Sequence, residues 1–174
     1  KIPYQATPMG FDFSRHPIQP QRPKQGPVRF VYIGAVDKLR RLDIINEAFM
    51  AQQQPFRLDY YSASQNDVVD DIRRLNDSRI RFNAALPRSE LFDCIAKADV
   101  GICFFPHTKT YITASPTKTV EYGALGLSVL VNRMPEYETL LNDHCAFICD
   151  FEKEAIQKQV EAILSMGREA IAQR

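Results

Sequence analysis

The chain has 174 residues, enough for one domain with a full hydrophobic core and too many to depend on a metal or disulfide staple. It is 45% hydrophobic and 25% charged, with a net charge of +1, a balance that argues against a dedicated nucleic-acid protein but leaves room for one small basic pocket. No apolar run approaches the ~20 residues of a membrane span. The four cysteines make no CxxC and no zinc-spaced His/Cys cluster, so they read as reduced core thiols, with a cytoplasmic location and no metal site expected.

Residues 1–27 carry prolines at positions 3, 8, 17, 20, 23 and 27, which excludes long helices. This segment reads as an interdomain linker or arm, with the domain proper at 28–174. The start at Lys1, with neither methionine nor signal peptide, suggests a piece of a longer protein.

From Val28 strands and helices alternate. RFVYIG (29–34) is a β-branched and aromatic run closed by glycine, hence a strand. Leu42, Ile45, Ala48 and Phe49 then recur at helical spacing. RLDYYSA (57–63) is a second strand, DVVDDIRRLND (67–77) a helix, and IRFNA (80–84) a third strand. Ser89 is placed to cap a helix bearing Leu91, Phe92, Ile95 and Ala96. DVGICFFP (99–106) is a continuous apolar strand of the kind buried on both faces. After the 107–114 loop come the helix SPTKTVEYGALG (115–126), the strand LSVLVN (127–132) and a short helix near 135–142. The strand CAFICD (145–150) and a final helix over about 152–171 complete the chain. This alternation implies an α/β fold: a doubly wound, parallel, six-stranded, Rossmann-like sheet in three αβα layers.

In such a sheet, ligands bind beyond the carboxyl ends of the strands. Gly34–Arg41, Asn83–Ser89 and Pro106–Glu121 all fall there. Ser115 as N-cap and Pro116 at the first helical position start a helix, and the N–H groups of Thr117 and Lys118 point out of its positive end. Lys118 opposes the helix dipole, which an anion would relieve. Glu121 lies one turn further along, where a carboxylate can accept from both ribose hydroxyls. The alternative is a plain i,i+3 ion pair between Lys118 and Glu121. Gly126 reads as a C-cap, and Gly123 could allow close packing on the sheet. In GAVDKLRR (34–41), Gly34 permits close approach of a ligand. Lys38, Arg40 and Arg41 concentrate positive charge suited to phosphate, or else form a solvated basic turn. There is no GxGxxG, P-loop, GxSxG or HExxH, so NAD, FAD and P-loop nucleotide readings lose most of their weight. His107 sits in the loop beside the presumed ligand edge, while His16 and His144 have no partner visible in sequence. Nothing here forms a self-contained catalytic set.

Taken together, these segments resemble the C-terminal, nucleotide-sugar-binding domain of the group-1 family of retaining glycosyltransferases, which have two Rossmann-like domains. ATPMGFDFS (6–14) is similar to the interdomain segment, and RFVYIGAVDKLRRLDIINEAF to the first strand, phosphate loop and helix. IRFNAALPRSELFDCIAKADVGICFFP is similar to the stretch before the donor loop. SPTKTVEYGALGLSVLVN, the most specific match, resembles the donor helix and the strand after it. The resemblance implies transfer of a sugar from a nucleotide-sugar donor to an acceptor, with no metal or other cofactor. It implies Arg41 in the place of the phosphate-binding cation, the N–H groups of Thr117 and Lys118 on the diphosphate and Glu121 on the ribose; together with Gly34, Arg40 and Ser115 from the reading of the residues, these are the expected donor contacts. The segment from Asn83 would border the base. Transfer would take place in the cleft against an N-terminal domain that supplies the acceptor contacts. This chain would then hold no catalytic residue and should not turn over alone. Peripheral membrane association would concern the full-length protein only.

Two positions depart from the family pattern. Thr113 stands where a second glutamate is common, which puts sugar-hydroxyl recognition in question. Ala35 stands where an arginine often follows the strand glycine, which removes one phosphate contact. These departures motivate one alternative, a catalytically silent scaffold domain of the same fold; a nucleotide-sugar epimerase is the other.

Overall fold

The computed structural model describes residues 11–12, 25–109, 111, 117–142 and 144–174. Six parallel strands form one sheet: β1 (Val28–Ile33), β2 (Phe56–Ser62), β3 (Ile80–Ala84), β4 (Val100–Cys103), β5 (Ser128–Asn132) and β6 (Ala146–Cys149), in the order β3-β2-β1-β4-β5-β6. The chain builds outward from β1 to β3, then crosses back to pair β4 on the other side of β1, with Phe30 beside Val100. That reversal is the topological switch point, where loops diverge and leave a crevice.

Among the described residues, six α-helices cover the two faces: α1 (Leu42–Met50), α2 (Asp67–Arg74), α3 (Arg88–Ile95), α4 (Thr117–Ala124), α5 (Pro135–Leu140) and α6 (Lys153–Ala172). Alternation along β1 decides the layers, since successive strand side chains point to opposite faces. Phe30 and Tyr32 join Phe49, Ile72 and Val160 in the core under α1, α2 and α6. Val31 and Ile33 join Phe92, Tyr122 and Tyr137 in the core under α3, α4 and α5. Of the segment expected as a linker or arm, residues 1–10 and 13–24 lie outside the described residues, and Phe11 lays its ring 5.8 Å from that of Phe92. No helix among the described residues is long and apolar enough to cross a membrane.

Most expected elements agree within a residue or two, and the differences have local causes. The apolar run 99–106 forms a ladder only over Val100–Cys103, because the neighbouring β1 ends at Ile33 and Pro106 has no N–H to give. The helix expected over 67–77 stops at Arg74, where Leu75 takes an extended ψ of 126° and turns into the core. Pro87, not Ser89, occupies the N-cap of α3, and no side chain caps that helix end. Gly123 is exposed, and a Cβ built there meets nothing, so it allows no close packing. The close approach is made from the sheet side, at Gly101, where a Cβ would overlap the Tyr122 ring. Gly126, at a φ of 74°, takes the left-handed conformation of a helix end.

Candidate functional site

The loop after β1 is built by short-range hydrogen bonds. Gly34 turns the chain at a φ of 148°, a conformation that favours glycine. The Tyr32 hydroxyl donates to the Ala35 carbonyl at 2.7 Å, and Val36 N–H donates to Ser64 Oγ at 3.0 Å. Asn66 Nδ2 donates to the Val36 carbonyl at 2.7 Å, so the loop is tied to the one after β2. Asp37 then caps a single 3₁₀ turn, Lys38–Arg40, by accepting from Arg40 N–H at 3.1 Å.

Arg41 follows at a φ of 50° and ψ of 45°, the only non-glycine residue with positive φ among those described. This left-handed step sends two adjacent arginines in different directions. The guanidinium of Arg40 lies 4.6 Å from the centre of the Phe105 ring and 4.8 Å from that of Tyr111. Arg41 turns instead to Asp43, donating from Nε and Nη2 at 2.9–3.2 Å.

Two hollows adjoin at the switch point. One, of about 330 Å³, is lined by Tyr32, Gly34, Arg40, Phe105, Tyr111, Thr117 and Lys118, among others. The other, of about 490 Å³, shares Gly34 and Lys118 and extends over the ends of β2 and β3, past Tyr61, Ser64, Ala85, Leu86 and Leu91. The structure thus brings Gly34, Arg40, Thr117 and Lys118 together. It leaves Arg41 on a separate hollow of about 440 Å³ between α1 and α2, with Asp43 and Met50. The segment from Asn83 reaches the larger hollow through Ala85 and Leu86.

At the start of α4, Lys118 Nζ donates to Glu121 Oε2 at 2.6 Å, and Arg88 Nη2 donates to Oε1 at 3.2 Å. The Glu121 side chain is only 14% exposed, so the carboxylate is held between two cations rather than in bulk water. Thr117 and Lys118, in the first turn of α4, where N–H groups lack an intrahelical acceptor, line the smaller hollow. Ser115, with Pro116 and Thr113, lies outside the described residues.

The local field agrees with this placement. Burial pushes the Cys103 thiol up to about 11, while the hydrogen bond from Tyr137 and the charges of Arg40 and Lys118 pull it back. Both cations are therefore felt at the end of β4. Burial also drives the Tyr32 phenol upward, again opposed by Arg40. His107 Nε2 lies 2.9 Å from the Arg133 carbonyl and ties the loops after β4 and β5. His144 is exposed, and His16 lies outside the described residues. Among the described residues, no group of three or more His, Cys, Asp or Glu is arranged to hold a metal.

Sequence reasoning missed Arg88, Phe105, Tyr111 and Asn132. An aromatic pair after an apolar strand gives no sign that it will flank an arginine some seventy residues upstream (Arg40 to Phe105 or Tyr111). Asn66 was missed as well, although it had a readable local signal as the cap of α2, accepting from Val69 N–H at 3.2 Å.

No protein-family profile matches the chain, and no curated protein sequence does. Solved structures do. AviGT4, a glycosyltransferase involved in avilamycin A biosynthesis, superposes with a TM-score of 0.66 at 16% identity, over 95% of this chain and 49% of its own. HepE of Anabaena, solved in complex with UDP and glucose, gives 0.64 at 14% identity, over 84% of this chain and 41% of its own. A glycosyltransferase from Rickettsia africae gives 0.61 at 14% identity, over 86% of this chain and 41% of its own. The chain therefore spans less than half the length of these structures, and over that part it has the Rossmann-like fold of solved glycosyltransferases.

Proposed function

We propose that this chain is the donor-binding part of a glycosyltransferase that takes its sugar from a nucleoside diphosphate sugar. One observation carries the reading: Gly34, Arg40, Lys118 and the first turn of α4 line one hollow at the switch point of the sheet. A diphosphate seated there would meet the guanidinium fork of Arg40, the Lys118 ammonium and the N–H groups at the helix start. Each of these favours an anion. Glu121 stands one turn along α4, where ribose hydroxyls can replace its present cationic partners. The base would then extend into the larger hollow, toward Ala85, Leu86 and Leu91. The UDP and glucose bound by the Anabaena protein, whose fold this chain shares, support the same ligand class. Arg40 and Lys118 supply the positive charge a diphosphate needs, so binding should proceed without a divalent cation. Transfer needs an acceptor site, which on this reading a second domain provides, and the isolated chain should bind donor without turning it over.

Calorimetric titration with UDP, GDP and ADP, with and without a chelator, tests the proposal directly. At least one nucleotide should bind, and chelation should leave the affinity unchanged. Arg40→Ala and Lys118→Ala should each weaken binding about tenfold, ~1.4 kcal/mol, the scale of one charge-assisted contact. If no nucleotide binds even at millimolar concentration, the reading is wrong.

A further inference from the structure

Asn132, the last residue of β5, is wholly buried, and its carboxamide is spent on one neighbour. Nδ2 donates to the Phe105 carbonyl at 2.9 Å, and Oδ1 accepts from Phe105 N–H at 2.8 Å. The sheet ladder between β4 and β5 ends at Cys103 beside Val131, so this reciprocal pair acts as one more rung beyond the last backbone rung. It holds Phe105 at the point where an apolar strand would otherwise lose its partners. A second tie, between His107 Nε2 and the Arg133 carbonyl, holds the same loop from the same side.

The ring that Asn132 holds in place is the one against which Arg40 lies. Phe105 and Tyr111, with ring centres 5.3 Å apart, both contact the Arg40 guanidinium. Arg40 Nε is buried and has no hydrogen-bond partner among the described residues. Stacking on the aromatic rings, rather than a salt bridge, therefore orients this cation, and it leaves the charge available to a ligand. Compare Arg41, whose charge is already spent on Asp43.

We infer that Asn132 is a positioning residue for the donor phosphates: by pairing with the backbone of Phe105, it sets the guanidinium of Arg40 in the smaller hollow. The inference rests on the proposed function for the identity of the anion, but not for the geometry. A purely structural Asn132 would affect stability and leave Arg40 where it is.

The geometry is tested without a ligand. In the nitrogen–proton NMR spectrum, the Arg40 Nε–Hε signal should be shifted by the ring currents of Phe105 and Tyr111. Asn132→Asp should move that signal toward the position of a free arginine, because its carboxylate can accept from Phe105 N–H but repels the Phe105 carbonyl. Phe105→Leu keeps Asn132 paired to the backbone and removes only the ring, so it serves should the first variant fail to fold. It should move the signal in the same way.

Binding is then measured with inorganic pyrophosphate, UDP and uridine. Both variants should weaken pyrophosphate and UDP about fivefold, the scale of one exposed cation–aromatic contact, and leave uridine unchanged. Neither substitution should add to Arg40→Ala. An Arg40 signal that stays in place in a folded Asn132→Asp, or in Phe105→Leu should that variant not fold, overturns the inference, as does an equal loss for uridine and UDP. A shifted Arg40 signal in a protein that binds neither UDP nor pyrophosphate overturns the phosphate role and the proposed function while leaving the Asn132–Phe105–Arg40 geometry standing.

Discussion

Arg41 adopts a φ of 50°, in the region where an L residue crowds its own Cβ against the following carbonyl. Its side chain offers little in return, since the pair with Asp43 is more than half exposed on both partners. Arg41→Gly should therefore raise the melting temperature, by ~2–4 °C for a chain of this size. Because Arg41 faces away from the two adjoining hollows, nucleotide affinity should not change. A lower melting temperature would show that the ion pair outweighs the backbone strain. Arg40, one residue earlier, is the opposite case: substitution there should cost binding. Adjacent residues of one type thus turn to different neighbours, Arg40 to Phe105 and Tyr111 and Arg41 to Asp43.

Among the elements, α4 has the most demanding contact with the sheet. Tyr122 lies flat over Gly101 in β4, and its hydroxyl accepts from Ile33 N–H at 3.0 Å. That N–H falls just past the last β1–β4 rung, Tyr32 beside Ile102, so without Tyr122 it would be buried and unpaired. The same contact sets the height of α4 over the strand ends and hence the position of Thr117 and Lys118. Gly101→Ala should cost about 1–3 kcal/mol in urea unfolding through overpacking, and it should weaken nucleotide binding as well. Gly123→Ala, on the open side of the same helix, should be neutral or stabilising by up to ~1 kcal/mol. If both variants behave alike, the contact between α4 and β4 is looser than described.

Across the whole molecule, a buried clamp joins distant parts of the chain. Asp99 receives a bidentate bond from Arg168, at 2.8 and 3.0 Å, and a third from Arg29 N–H at 2.8 Å. The kink at Gly167, with a φ of 74° and ψ of 165°, breaks the course of α6 and delivers Arg168 to this site. Burial of weak acids has a further consequence for the entire fold. It raises the Cys103 thiol to about 11 and the Cys149 thiol to about 12, against an ordinary 9.0, and it raises the Tyr32, Tyr60, Tyr61, Tyr122 and Tyr137 phenols too. All these groups are neutral when protonated, so above their ordinary values the unfolded chain releases protons that the folded chain retains. The contribution of the two thiols to stability is complete below pH 9 and is lost as pH rises through about 11 to 12, while that of the phenols begins to fall above their ordinary value of 10.0. The urea midpoint should fall over that window, with phenolate absorbance of the buried tyrosines appearing together with unfolding. Phenolate absorbance that rises well before the fold is lost would contradict this burial.

How much was legible beforehand follows from the range over which each signal acts. The alternation of Phe30 and Tyr32 with Val31 and Ile33, the helical spacing of Leu42, Ile45 and Phe49, and the glycine at 126 are local patterns. They determined the order of elements, the parallel sheet and which segments reach its rim, because strand and helix periods are written within a few residues. Tertiary structure decided the rest. Whether Arg40 or Arg41 turns into the hollow depended on one left-handed residue, and the height of α4 on Tyr122 against a glycine in another element. The pairing of Asn132 with Phe105 spans 27 positions, a separation over which no periodicity operates. Such contacts arise only when strand order brings the end of β5 beside β4 and the end of β4 beside β1. A site made of strand ends is therefore anticipated as a region by the sequence and assembled residue by residue by the packing.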